Sequence, residues 1–118
     1  MKRVQTGKLD KPIVFMREVA STEVDGQPNG SWVDVVKVWS SVEAVSGAEL
    51  FTARQTESQV THWIRIYYRE DVRANAPRWR IRFRDRIFEI IEAHEVEENQ
   101  VGFLNLMAKE RLPRGDNR

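Results

Sequence analysis

The chain has 118 residues, 41% of them hydrophobic, with a formal net charge of +1 and no cysteine. That length fits one domain with a thin but real core, and the composition fits a globule, not a disordered chain. Without cysteine there is no disulfide framework and no thiolate metal site, and a charge this close to neutral speaks against a dedicated duplex-DNA binder.

The basic start, Met1-Lys2-Arg3, is not followed by the apolar run of a secretory signal. No window approaches the ~20 apolar residues of a membrane helix. The expectation is a soluble protein with no membrane partner. Residues 12–19, with Ile13, Val14, Phe15 and Met16, read as a first strand. The stretch 22–31 holds Asp25-Gly26 and Asn29-Gly30 around Pro28 and reads as a long polar loop. Residues 32–45 are rich in valine and tryptophan and read as a second strand, long enough to predict a bend or bulge near Ser40-Ser41.

Ser46-Gly47-Ala48-Glu49 matches a capping box. The Ser46 oxygen accepts the amide three residues on, and the Glu49 carboxylate reaches back to the serine amide. Val45 and Leu50 take the hydrophobic-staple positions. The signal predicts a helix from Ser46 to about Thr56. Residues 60–69 read as a third strand, Ile64, Ile66 and Tyr68 alternating with Trp63, Arg65 and Tyr67. Residues 73–77 read as a polar loop.

Residues 79–91 read as a hairpin turning near Arg84-Asp85-Arg86. Trp79, Ile81 and Phe83 share one face of it; Arg80, Arg82 and Arg84 share the other. Glu89, Glu92, Glu95, Glu97 and Glu98 follow as an acidic strand-and-loop edge, and residues 100–108 read as the last strand. The tail has no apolar pattern, and its Arg114-Gly115-Asp116 is a chance match to an integrin-binding tripeptide. The domain is set at residues 1–110 and a flexible tail at 111–118. Six strand-length runs and one short helix predict a mainly β fold, a small antiparallel barrel or sandwich.

Little in the chain speaks for catalysis. His62 and His94 lack metal-ligand spacing, no Gly-x-Ser-x-Gly elbow is present, Ser46 serves as a cap, and no glycine loop cradles a phosphate. The expectation is no catalytic residue, no cofactor and no metal. The run from Trp79 to Arg84 suggests a single-stranded nucleic-acid platform as an alternative. Its alternation turns the aromatics towards the core and leaves the arginines for solvent or protein contacts.

Several stretches together resemble the phage head–tail joining family (head–tail adaptor or head-completion stopper). They are Gly7-Lys8-Leu9 with the first strand, Trp32 after the turn-rich loop, Val38-Trp39, Val45-Ser46-Gly47-Ala48-Glu49, Thr61-His62, and the arginine-rich hairpin ending in Phe88-Glu89-Ile90. The match spans residues 7–108. Two departures stand out: Tyr67-Tyr68 where the family often has Arg-Tyr, and Asp85 where it often has glycine in the hairpin turn. The resemblance implies a β-barrel subunit that forms a homo-oligomeric ring at the portal vertex of the virion, made in the bacterial host cytoplasm. Its implied partners are copies of itself, a portal or adaptor protein, a tail protein, and DNA passing without sequence recognition. A related tail-completion protein, such as a tail terminator, is a further alternative.

Two sets of residues are candidate interfaces on this reading. One is the loop with Asp25, Gly26, Asn29 and Gly30, leading to Trp32. The other is the opposite charge of Arg80, Arg82 and Arg84 against Glu92 and Glu95, which would meet across neighbouring subunits. Ser46 and Glu49 are structural, as the helix cap.

Overall fold

The computed structural model describes residues 8–19, 31–45 and 60–111. Among the described residues there are six strands: β1 (Lys11–Val19), β2 (Ser31–Ala44), β3 (His62–Tyr67), β4 (Arg80–Phe83), β5 (Arg86–Glu98) and β6 (Val101–Arg111). All pairings are antiparallel, and the order β1-β2-β3-β6-β5-β4 closes on itself as a barrel. Closure comes from β4 pairing β1, Ile81 opposite Phe15. It gives both of those short stretches a neighbour on each side.

Alternation builds the core. Ile13 and Phe15 of β1, Ile64 and Ile66 of β3, Ile81 and Phe83 of β4, Phe88 and Ile90 of β5, and Leu104 and Leu106 of β6 all point inward and are buried. Trp79, Ile81 and Phe83 face the core as the sequence predicts. β2 carries no fully buried apolar residue but packs Val36, Val38 and Val42 against this cluster.

The strands bend at two bulges. Between β1 and β2 the register steps from Phe15↔Val36 to Met16↔Asp34, leaving Val35 as the extra residue. Between β5 and β6 it steps from Ile90↔Ala108 to Glu92↔Met107, leaving Ile91 extra. The bulge in β2 is therefore at Val35 and not at Ser40-Ser41. At Ser40 the strand changes neighbours instead, opposing both Lys11 of β1 and Ile66 of β3. The buried Ser40 hydroxyl donates to the Lys11 carbonyl at 2.9 Å, which satisfies it there.

The stretch 73–77, expected as a loop, is helical. Helix α1 (Glu70–Asn75) runs into a 3-10 turn (Ala76–Arg78). Glu70 and Asp71 in the first turn and Arg73 in the last suit the helix dipole. Pro77 falls early in the 3-10 turn, where its missing N–H costs nothing. What holds so short a helix is burial: Val72 and Ala76 are fully enclosed against the barrel. The helix predicted from Ser46 lies outside the described residues, as do the loop 22–30 and the tail 112–118. Strand β5 continues to Glu98, seven residues past the predicted Ile91 end, and β6 runs to Arg111.

Both tight hairpins use left-handed backbone. In the β4–β5 turn that residue is Arg84, at φ 60°, and not Asp85. In the β5–β6 turn Asn99 and Gln100 take φ 55° and 66°, the pattern of a type I′ turn. The second hairpin reaches past the barrel wall. β3 pairs β6 no further than Phe103; beyond it the Tyr68 N–H reaches across to the Gly102 carbonyl at 3.0 Å, and the Arg65 side chain reaches Glu98.

Candidate functional site

The arginines of β4 are engaged within the subunit. Arg80 lies with its guanidinium 4.1 Å above the Trp32 ring. Burial holds its pKa below the usual arginine value, and the Arg111 charge adds to that, while Glu89 and Glu18 act against it. Arg80, Trp32, Glu89 and Glu18 line a cleft of about 650 Å³ with Arg17, Arg78 and Trp79. Arg82 clasps Asp34 of β2 through two hydrogen bonds of 2.8 and 3.1 Å. That pair raises the Arg82 pKa and lowers the Asp34 pKa. Arg84 is exposed and lies over the ring of Phe83, 4.7 Å away.

Glutamates of the acidic strand other than Glu97 are partnered as well. Glu92 pairs with His94 at 3.0 Å, Glu95 with Arg73 of α1, and Glu89 with Arg111. Glu98 bonds Arg65 at 3.0 and 3.2 Å. Of the predicted interface residues, Trp32 and Arg80 come together in one cleft, whereas Arg82, Glu92 and Glu95 each hold another residue of the same chain. Asp25, Gly26, Asn29 and Gly30, and the capping pair Ser46 and Glu49, lie outside the described residues.

Among the described residues no group of three or more potential metal ligands gathers. His62 is buried in a network that accounts for it. Its Nδ1 lies 2.9 Å from the Thr61 hydroxyl, which also accepts the Glu110 N–H at 2.8 Å and donates to the Ala108 carbonyl at 3.4 Å. The Arg86 guanidinium, held by Glu110 at 3.0 and 2.8 Å, approaches the other ring nitrogen at 3.2 Å. The arrangement suits a neutral ring with its proton on Nδ1. A proton on Nε2 would set donor against donor. Burial and the Arg86 charge accordingly push the His62 pKa below the ordinary 6.5.

This has a consequence for stability. The folded protein resists protonating His62, while the unfolded chain takes the proton near pH 6.5. The histidine contribution is therefore complete above that pH and lost as pH falls through it. We expect the melting temperature to hold between about pH 8 and 7 and to fall from about pH 6.5 to 5. Substitution His62→Gln should flatten that segment. The carboxylates with lowered pKa values, Asp34, Asp71 and Glu110, act in the same direction but only at more acid pH. Thermal melts across this range check the assignment.

One surface feature was not singled out from the sequence. Trp39 is 58% exposed, Tyr67 57%, and Tyr68 and Val101 40% each. Trp39, Tyr67, Tyr68 and Phe103 line a groove of about 710 Å³, with Lys8, Lys37 and Arg69 also on its wall. Tyr67 stacks on Phe103, ring centroids 5.3 Å apart. A signal was present in the chain: adjacent aromatics such as Tyr67-Tyr68 cannot both face the core of a strand with a repeat of two.

Comparison with known proteins agrees with this architecture. The solution structure of protein SF1141 from Shigella flexneri 2a matches with a TM-score of 0.66 at 23% identity, over 98% of this chain and all of that one (100%). A chain in the virion of a native gene transfer agent particle matches with a TM-score of 0.58 at 23% identity, over 91% of this chain and 99% of that one. At such identities the likeness is one of fold. No curated protein matches the chain. The family model for phage head completion proteins matches residues 4–111, nearly the entire chain, and the protein belongs to that family.

Proposed function

We propose that the protein is a structural subunit of the neck of a tailed phage or prophage particle. Copies form a ring at the portal vertex, continue the DNA channel, help retain packaged DNA and dock the tail. The observation that carries this reading, beside the family, is the filled barrel. Phe15, Ile81, Phe88, Leu104 and Leu106 are all at 0% exposure, so the subunit itself has no bore. A channel for DNA then exists only between copies arranged about an axis.

A closed ring needs two different patches on each subunit. Contacts well below about 800 Å² per partner, the size of a standard stable interface, would leave the free subunit monomeric. Docking on a ring-shaped template raises the local concentration and drives closure. The segment 22–31 serves a contact with the portal or tail protein on this reading. A formal charge of +1 suits a lining past which DNA slides, since dense phosphate contacts would slow ejection.

The single-stranded nucleic-acid reading loses its platform, because Trp79 and Phe83 are buried. Of the exposed aromatics, Tyr68 has Glu95 and Glu97 beside it, which repel phosphate, while Trp39 and Tyr67 lie in the groove with Lys8, Lys37 and Arg69. Particles produced without the protein test the proposal. We expect DNA-filled heads that leak their DNA and carry no tails. Stable heads with tails of abnormal length would point to a tail terminator, and normal infectious particles would overturn the neck assignment altogether.

A further inference from the structure

The exposed aromatic band separates two flanks of opposite charge. On one side Lys8 and Lys37 rim the groove that holds Trp39 and Tyr67. On the other, a second groove of about 480 Å³ is lined by Glu95, Val96, Glu97 and Gly102, and the two grooves share Tyr68 and Phe103. Lys8, Lys37 and Glu97 make no ion pair with any described residue, whereas the other groove-lining charges, Arg69 and Glu95, hold Asp71 and Arg73. Charges of both signs that hold no ion pair therefore lie beside the exposed aromatics, the basic ones on one flank and the acidic one on the other.

The shapes of the two flanks differ. The acidic flank belongs to the β5–β6 hairpin, which reaches beyond the last β3–β6 pair and carries exposed Val101 opposite Glu98, next to Glu97. The basic flank is a concave groove with a tryptophan in its wall. Exposed tryptophan and tyrosine beside a pocket are what the buried centre of a protein interface looks like. A hairpin end carrying a carboxylate beside an exposed valine fits an aromatic groove carrying an ammonium group, and both are present on this chain.

We propose that the occupant of the groove is a second copy of this chain: the β5–β6 hairpin end of one subunit, with Glu97 and Val101, seats in the groove of the next, against Lys8, Lys37 and Trp39. The contact joins unlike surfaces, so it propagates head to tail, and it forms a ring when the rotation between successive copies closes. It rests on the ring reading above and assigns the subunit contact to residues other than the β4 arginines, which are engaged within their own subunit.

Charge exchange tests it. Full-length Lys37→Glu, Glu97→Lys and the double variant are assembled onto heads that lack the protein, and rings are counted by electron microscopy. Both positions are exposed, and unchanged melting curves confirm that the variants fold. Each single reversal should weaken assembly about tenfold or more, and the exchange should restore most of it. Normal rings from both single variants would overturn this contact and leave the ring reading standing. Single variants that fail without rescue by the exchange would show that a different protein fills the groove. A wild-type dimer that stops at two copies would overturn the head-to-tail geometry. A wild-type protein that forms no ring would overturn both readings.

Discussion

Substitution Phe88→Ala should cost about 3–5 kcal/mol, a large share of the stability of a domain this size. Phe88 is fully buried, sits opposite Ile81 of β4, and packs edge-on against His62 with ring centroids 4.9 Å apart. The Arg86 guanidinium, 5.4 Å from its ring centroid, covers it from the rim. Truncation removes the transfer energy of the ring and leaves a cavity, because a closed barrel cannot collapse on one side without parting its strands. Small domains are stable by only about 5–15 kcal/mol, so the variant would be partly unfolded at physiological temperature. Urea denaturation should show a lower midpoint with an unchanged slope. A loss below about 1 kcal/mol would mean that the barrel is looser than its burial implies.

The second large effect is expected at Glu98. Its partner Arg65 points away from the strand's apolar face, yet its side chain is only 3% exposed. The guanidinium donates to the Asn105 side chain at 2.7 Å and to both Glu98 oxygens, and it lies 4.7 Å from the Phe103 ring centroid. Glu98→Ala removes two charge-assisted hydrogen bonds from this desolvated cation. A fully enclosed pair would cost about 3–5 kcal/mol to break. Glu98 is 45% exposed, so water can replace part of the lost interaction, and we expect about 2 kcal/mol. The same substitution should loosen the β5–β6 hairpin, because Arg65 is its tether to β3. Hydrogen exchange would then rise at residues 96–102 more than in β1 or β4. A uniform rise across the barrel would contradict the local role given to this pair.

The pattern of repeat two made most of the barrel legible. Trp79, Ile81 and Phe83 were readable as core-facing because arginines separate them, and the six strand runs were readable because valine, isoleucine and aromatics cluster between turn residues. The helix at Glu70–Asn75 was not readable. It is too short for a periodic signal, and tertiary burial of Val72 and Ala76 holds it. The end of β5 was missed because Glu95 to Glu98 look like solvated loop. Flexible side chains on an outer strand face, with arginines from α1 and β3 opposite, let such residues continue a strand.

The candidate site was legible to a lesser degree. Charge along the chain pointed to the β4 arginines and the β5 glutamates. Their partners, Asp34, Arg73 and Arg65, lie on other elements, so only the fold could reveal which charges were already paired. Trp39 and Tyr67 became one surface for the same reason: β2 changes neighbours at Ser40 and brings the two strands together there. The family, by contrast, was readable from the order of motifs along the chain, and the head completion match over residues 4–111 bears that reading out.

That this barrel is a building block of the particle neck is tested most directly by a reconstruction of the neck in particles carrying the protein. The expected result is a closed ring of copies between the portal and the tail, filled barrels surrounding an open axial channel, with the β5–β6 hairpin of each copy against Trp39 and Lys37 of the next. A neck without this protein, or a single off-axis copy, would contradict it.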